Sequence, residues 1–187
     1  VRRFLRYATI IILTALLLGA CIGLTPFKLI EHRVASNLQR PQLDKRSEKA
    51  VDVVYRTLDD KEQHLSSSKG QVVFLDLWWT WCMQCVAEMP SVQRLYDHYK
   101  NDPSVRFLII SRQDTSSSIR SYARRNHLDL PFYLIEDEDI PESMQLNQFP
   151  ATFLYEKDGS LVAKHVGAAD WSDESVIKFI DDLKGQR

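Results

Sequence analysis

Gln71-Val72-Val73-Phe74-Leu75-Asp76-Leu77-Trp78-Trp79-Thr80-Trp81-Cys82-Met83-Gln84-Cys85 is the stretch from which the fold is read. Residues 71–78 are almost continuously apolar, with one acid, Asp76, inside the run. Such a run reads as a central strand buried on both faces of a sheet. A helix is expected from about Cys82 to about Lys100, stopped before Asn101-Asp102-Pro103. The two cysteines then sit at a strand-to-helix junction. N–H groups at a helix N-terminus are unpaired and carry partial positive charge. A thiol there loses its proton more readily, and the thiolate is the attacking species in exchange with disulfides. Cys85, three residues on, shares a helix face with Cys82, so the two can close a local disulfide with little backbone movement. Cys82 is expected to be exposed and to attack first, with Cys85 recessed and resolving.

Further elements follow on either side. Val51 to Thr57 reads as a strand, Asp59-Asp60 as a turn, and His64-Leu65 as a short return before the loop Ser66-Ser67-Ser68-Lys69-Gly70. Val105 to Ile110 is a second buried strand. Ile119, Tyr122 and Ala123 recur at helical spacing after a cap region at Asp114-Thr115. Phe132 to Ile135 is a short strand, and an acidic stretch with a short helix near Glu142–Leu146 follows. Thr152 to Tyr155 and Leu161 to Val166 flank the hairpin signal Asp158-Gly159. Val176, Ile177, Ile180 and Leu183 line a last helix. The order β-β-α-β-α-β-α-β-β-α implies an α/β domain, with a mixed central sheet and helices on both faces.

The N-terminal side is different in kind. Arg2, Arg3 and Arg6 precede an uncharged run from Tyr7 to Phe27. A basic start before an apolar stretch is how exported chains begin, and the run is long enough to span a bilayer. Leu18-Gly19-Ala20-Cys21 resembles a bacterial lipobox, with Cys21 as the lipidated residue. A lipoprotein signal, an uncleaved transmembrane anchor and a released domain all remain open. Each puts Lys28 onward outside the cytoplasm, in agreement with the positive-inside rule. Residues 1–27 are therefore read as a signal or anchor segment, 28–50 as a tether and 51–187 as the folded domain. Twenty-four basic against twenty-five acidic residues, net charge −1, give no reason to expect nucleic acid as a partner.

Of the three cysteines, Cys21 lies in the export segment, leaving Cys82 and Cys85 for the domain. Redox chemistry explains such a pair better than structural stapling. Structural zinc would need a second ligand pair, and His64, His98, His127 and His165 show no ligand spacing, so no metal site is expected. Two thiols outside the cytoplasm could instead hold Cu(I), and a copper carrier is kept as an alternative.

Trp81-Cys82-Met83-Gln84-Cys85, preceded by Asp76 and followed by Pro90, resembles a thioredoxin active site. Glu88-Met89-Pro90 and Phe149-Pro150-Ala151-Thr152-Phe153-Leu154 narrow the resemblance to the TlpA/ResA-like family of membrane-attached thioredoxin-fold thiol–disulfide oxidoreductases. The resemblance runs from about Val51 to the C-terminus, with the segment between Ile110 and Phe149 matching the helix–strand insertion of that family. It implies a reductase of disulfides in exported proteins, for example in cytochrome c maturation, fed by a membrane electron donor. The redox-active disulfide Cys82–Cys85 would serve without any further cofactor. An oxidase or isomerase using the same site is the alternative. By the resemblance, Asp76 lies beneath the dithiol and shuttles the proton of Cys85, Glu88 tunes the cysteines, and Pro150 is cis. The cis turn exposes the Phe149 backbone to an extended substrate. Trp81, Phe149, Pro150 and Ala151 are the expected substrate-binding residues. Asp76, in a buried strand, is expected to act on the thiols more strongly than Glu88, placed on a helix surface. The chain departs from the pattern at Met83-Gln84, where most relatives carry Pro before the second Cys. It departs again at Ala151, where Thr is common, and in the absence of a Gly in the early turn.

Overall fold

Strand formation follows the apolar runs. In the computed structural model, which describes residues 38–43, 47–49 and 51–185, β1 (Val54–Thr57) and β2 (Glu62–His64) form an antiparallel hairpin. Asp60 turns the chain at φ 62°, a left-handed conformation that Asp tolerates. The short return is thus a strand in its own right. The loop after it winds into a 3-10 turn over Leu65–Ser68. β3 (Val72–Trp78) is buried at every residue. It leads into α1 (Met83–Tyr99), followed by β4 (Val105–Arg112), α2 (Ser116–Asn126), β5 (Phe132–Ile135), β6 (Ala151–Tyr155), β7 (Leu161–Val166) and α3 (Glu174–Gly185). The acidic stretch forms two 3-10 turns, Asp137–Asp139 and Glu142–Met144, where a short helix was expected.

The seven strands lie in the order β2-β1-β5-β4-β3-β6-β7. β3, β4 and β5 run parallel, while β1, β6 and β7 join antiparallel, giving the mixed sheet. Alternation along β3 sorts the core. Val72, Phe74 and Trp78 face a cluster that also contains Val92 and Leu95 of α1, Ile119 and Tyr122 of α2, and Val176 and Ile180 of α3. Val73, Leu75 and Leu77 face a second cluster with Leu65, Ile140 and Met144. All three α-helices therefore share one face, which corrects the expectation of helices on both, and among the described residues the other face is closed by 3-10 turns and loops. The physical reason is handedness. The β3-α1-β4 and β4-α2-β5 crossovers progress in one direction across the sheet, and right-handed crossovers then place both helices on the same side. Asp76 points to the helical side with Phe74 and Trp78.

Leu38–Arg187 forms one compact unit. Part of the expected tether belongs to it. The Gln39 carbonyl accepts the Asp170 N–H at 2.8 Å, Pro41 is buried, and Leu43 packs against the helical-face cluster. Glu48 exchanges backbone hydrogen bonds with Leu161 at 3.0 and 2.9 Å, extending the sheet beyond β7. Cys21 and the apolar run before it lie outside the described residues. Among the described residues no helix is long and apolar enough to cross a membrane.

Candidate active site

The site is built where β3 ends and α1 begins. Cys82 is the N-cap of α1, and its Sγ accepts the Cys85 N–H at 3.2 Å. The Cys82 sulfur thus takes the capping role that a Ser or Asp oxygen usually fills. Cys82 and Cys85 are joined in a disulfide with Cα atoms 5.2 Å apart. Cys82 is half-buried and Cys85 is 0 % exposed, so an approaching molecule meets Cys82. The connecting loop is clamped from another element. Asp114, just beyond β4, accepts the Thr80 N–H at 2.8 Å and hydroxyl at 2.6 Å, and the hydroxyls of Ser111 and Ser118 at 2.6 and 3.2 Å.

Around the disulfide the surface is aromatic. Trp81 is 65 % exposed and Met83 46 %. Trp81 stacks on Trp79 at 5.0 Å, and Trp79 on Phe149 at 4.6 Å. The Arg112 guanidinium lies 5.0 Å from the Phe149 ring and 5.7 Å from Trp79, and is held there by Asp137 at 2.8 Å. The Phe149–Pro150 peptide bond is cis. Pro150 and Ala151 are buried, with Ala151 starting β6 opposite Leu77 of β3, while Phe149 stays half-exposed through the stack. Trp81 and Phe149 are thus linked through Trp79, and Pro150 and Ala151 lie where β6 begins, against the end of β3.

Two buried acids lie on the same two elements, Asp76 on β3 and Glu88 three residues after Cys85 on α1. Asp76, 0 % exposed, faces Thr152 across the β3–β6 register and accepts its hydroxyl at 3.1 Å through Oδ1; Oδ2 has no partner among the described residues. Burial pushes the Asp76 carboxyl up to about 7, against a smaller lowering by Thr152. Glu88 is also 0 % exposed. The expectation of a helix-surface acid is corrected here: the loop after β7 closes over this turn of α1. Glu88 Oε2 accepts the Ala169 N–H at 3.0 Å and the Trp171 indole N–H at 2.8 Å. Oε1 has no partner among the described residues. Burial first, and the Asp76 charge second, raise the Glu88 carboxyl well above its usual range. The two acids cannot both ionise cheaply in this core, so each raises the proton affinity of the other and they titrate as a pair.

Among the described residues no group of three or more His, Cys, Asp or Glu is arranged to hold a metal. Sequence reasoning missed Arg112, Asp114, Thr152 and Trp171. A Thr in the strand bearing the cis-Pro motif could have flagged Thr152; Trp171 is about eighty residues from its carboxylate partner and carried no local signal.

The arrangement matches known proteins. The family model described as Redoxin covers residues 45–179. A thiol-disulfide oxidoreductase ResA of Bacillus cereus is 30 % identical over 118 residues, covering 63 % of this chain and 68 % of that protein. ResA of Geobacillus kaustophilus is 29 % identical over 135 residues, covering 72 % and 76 %. Among solved structures, a thiol:disulfide interchange protein of the thioredoxin family from Chlorobium tepidum superposes with a TM-score of 0.62 at 19 % identity. It covers 76 % of this chain and 99 % of its own, a likeness of fold alone. The resemblance drawn from the motifs is therefore borne out, as is the thioredoxin-like fold.

Proposed function

The chain belongs to the Redoxin family as a ResA-like thiol–disulfide oxidoreductase, and from that premise we propose that it works outside the cytoplasm, reducing disulfides of exported proteins. The observation that supports this most directly is the asymmetry of the pair: an accessible Cys82 capping a helix beside exposed Trp81, and a fully buried Cys85. In the reduced protein the Cys82 thiolate attacks a client disulfide. One client sulfur leaves as thiolate and a mixed disulfide forms. Cys85 gives up its proton to the buried acids beneath and attacks Cys82 Sγ, and the second client sulfur leaves. The client gains two electrons and, with protons from solvent, two thiols; the protein is left as the Cys82–Cys85 disulfide. A dithiol donor at the membrane restores it. Clients bind as extended backbone beside Phe149 and the cis-Pro150, with Trp81 against their apolar flank.

Membrane attachment through residues 1–27 and a role in supplying reduced apocytochrome c belong to the same proposal. The support is the basic-then-apolar N-terminal sequence and the ResA relatives. The test is trapping in the native host. Cys85→Ala is expected to accumulate mixed disulfides with exported proteins, because the resolving thiol is gone, and Cys82→Ala to accumulate few. Capture by Cys82→Ala alone would reverse the assigned roles. Cytosolic clients alone would remove the extracytoplasmic reading.

A further inference from the structure

The loop between β7 and α3 is tied to the helix that carries the cysteines. Ser91, 3 % exposed, donates its hydroxyl to the Glu88 carbonyl at 2.7 Å and the Ala169 carbonyl at 3.2 Å, and accepts the Trp171 backbone N–H at 3.1 Å. Trp171 is 0 % exposed, with its ring edge-on to Phe74 at 5.0 Å. Its indole N–H and the Ala169 amide then converge on one oxygen of Glu88. A buried Trp needs one acceptor for its single donor, and a backbone carbonyl would do. Here two N–H donors are spent on one carboxylate oxygen, which favours the ionised form of a group that burial opposes.

We propose that Trp171 is a positioning residue for the redox step: with Ala169 it fixes Glu88 Oε2, leaving Oε1 as the oxygen through which Glu88 exchanges a proton. This rests on the oxidoreductase reading above and adds a residue to it. Asp76 is arranged likewise, with Oδ1 committed to Thr152 and Oδ2 open. Each acid thus has one oxygen engaged and one open, so the pair can hold one proton or two between them. When Cys85 resolves a mixed disulfide, its thiol proton passes to this pair, which goes from one proton to two. Cys85 becomes thiolate, and the proton returns to solvent after the client sulfur has left. Weakening the hold on Oε2 raises the proton affinity of Glu88 and with it the affinity of the pair for its second proton, so that fewer molecules have the pair in its accepting, singly protonated state.

The other charged groups around Glu88 do not substitute for this. His165 of β7 stands edge-on to Trp171 at 5.6 Å, and burial lowers its pKa, favouring the neutral ring. Asp170 turns to Ser172 and Arg94. Within one turn of Glu88 on its own helix the buried titratable residue is Cys85, and on β3 it is Asp76.

The experiment compares wild type, Trp171→Phe, Glu88→Gln and the double variant. The pH–rate profile is measured for exchange with bis(2-hydroxyethyl) disulfide, an uncharged probe. Trp171→Phe keeps an aromatic ring and removes the donor. It is expected to move the apparent pKa of the acid pair upward by about one pH unit, a roughly tenfold loss of rate below that pKa. In the Glu88→Gln background the same change is expected to leave the profile where it is. An unshifted profile for Trp171→Phe, or an equal shift in both backgrounds, overturns the proposal. If Trp171→Phe does not fold, the wild-type indole N–H of Trp171 is followed by NMR. It is expected to titrate with the apparent pKa of exchange, and a pH-independent resonance overturns the assignment. Wild type that never exchanges while its indole titrates would defeat the functional reading alone.

Discussion

Asp76 and Glu88 illustrate how a single residue's meaning depends on what closes over it. An acid in an unbroken apolar run is legible as buried, because a strand inside a parallel sheet has no wet face. Glu88 was not legible in the same way. Spacing placed it on the face of Cys85, but helical spacing says nothing of what packs there, and the covering loop arrives from Ala169–Trp171. With both acids at 0 % exposure, the ranking of Asp76 above Glu88 loses its physical basis. Asp76→Asn and Glu88→Gln are both expected to change the pH dependence of exchange, and the double change to be non-additive. Asp76 also makes a stability prediction. A folded-state pKa raised from 3.8 to about 7 contributes stability that is present in full below 3.8 and is lost as pH rises to about 7. The ionised carboxyl then costs the folded state on the order of 4 kcal/mol. Urea unfolding of Asp76→Asn is expected to show a larger gain over wild type at pH 8 than at pH 5. Equal gains at the two pH values would place the effect in packing and not in charge.

Elements were more legible than their junctions. β3, β4 and β6 fall where the apolar runs put them, since burial on two faces leaves an unmistakable pattern, and the half-buried β5 and β7 match their expected ranges. The return at Glu62–His64 has no buried face to write a period of two, as its residues are exposed or half-exposed. It is held by pairing with β1. The stretch Glu142–Met144 closes as a 3-10 turn because only Met144 of that turn is buried, too little apolar surface to anchor a helix. Junction chemistry was hidden altogether, with Asp114 as its clearest case. It satisfies four donors from Thr80, Ser111 and Ser118, and so sets where Cys82 begins the helix. Asp114→Ala is expected to destabilise the fold by about 2–3 kcal/mol, since the donors lose a charged acceptor. It should also slow exchange, because the 79–82 loop loses its clamp. Denaturant unfolding together with the exchange rate checks both; an Asp114→Ala protein with unaltered stability and rate would mean that the loop holds its shape without this clamp.

At the scale of the molecule, the domain reaches further toward the N-terminus than its motifs do. Periodicity alone could not reveal this, because Gln39, Pro41 and Glu48 are polar or irregular and join the domain through backbone hydrogen bonds and one buried ring. A chain beginning at Leu38 is expected to fold as a soluble domain with intact exchange. One beginning at Val51 is expected to lose about 2 kcal/mol, from the bonds to Leu161 and Asp170, read as a lower melting temperature. Equal melting temperatures would make residues 38–50 a passive tether. Fractionation of the full chain is expected to recover it with membranes, and Cys21→Ala to abolish this only if lipidation is the anchor. Recovery free in the cytosol would remove the export reading. For the molecule as a redox device, the decisive quantity is the equilibrium of the Cys82–Cys85 pair with a thiol buffer. It is measured by titrating against dithiothreitol or glutathione and counting free thiols by alkylation. A reversible two-electron transition in the folded protein is expected, nearer the about −270 mV of thioredoxin than the about −120 mV of DsbA. A disulfide that opens only when the protein unfolds would contradict the assignment of Cys82 and Cys85 as an exchanging pair.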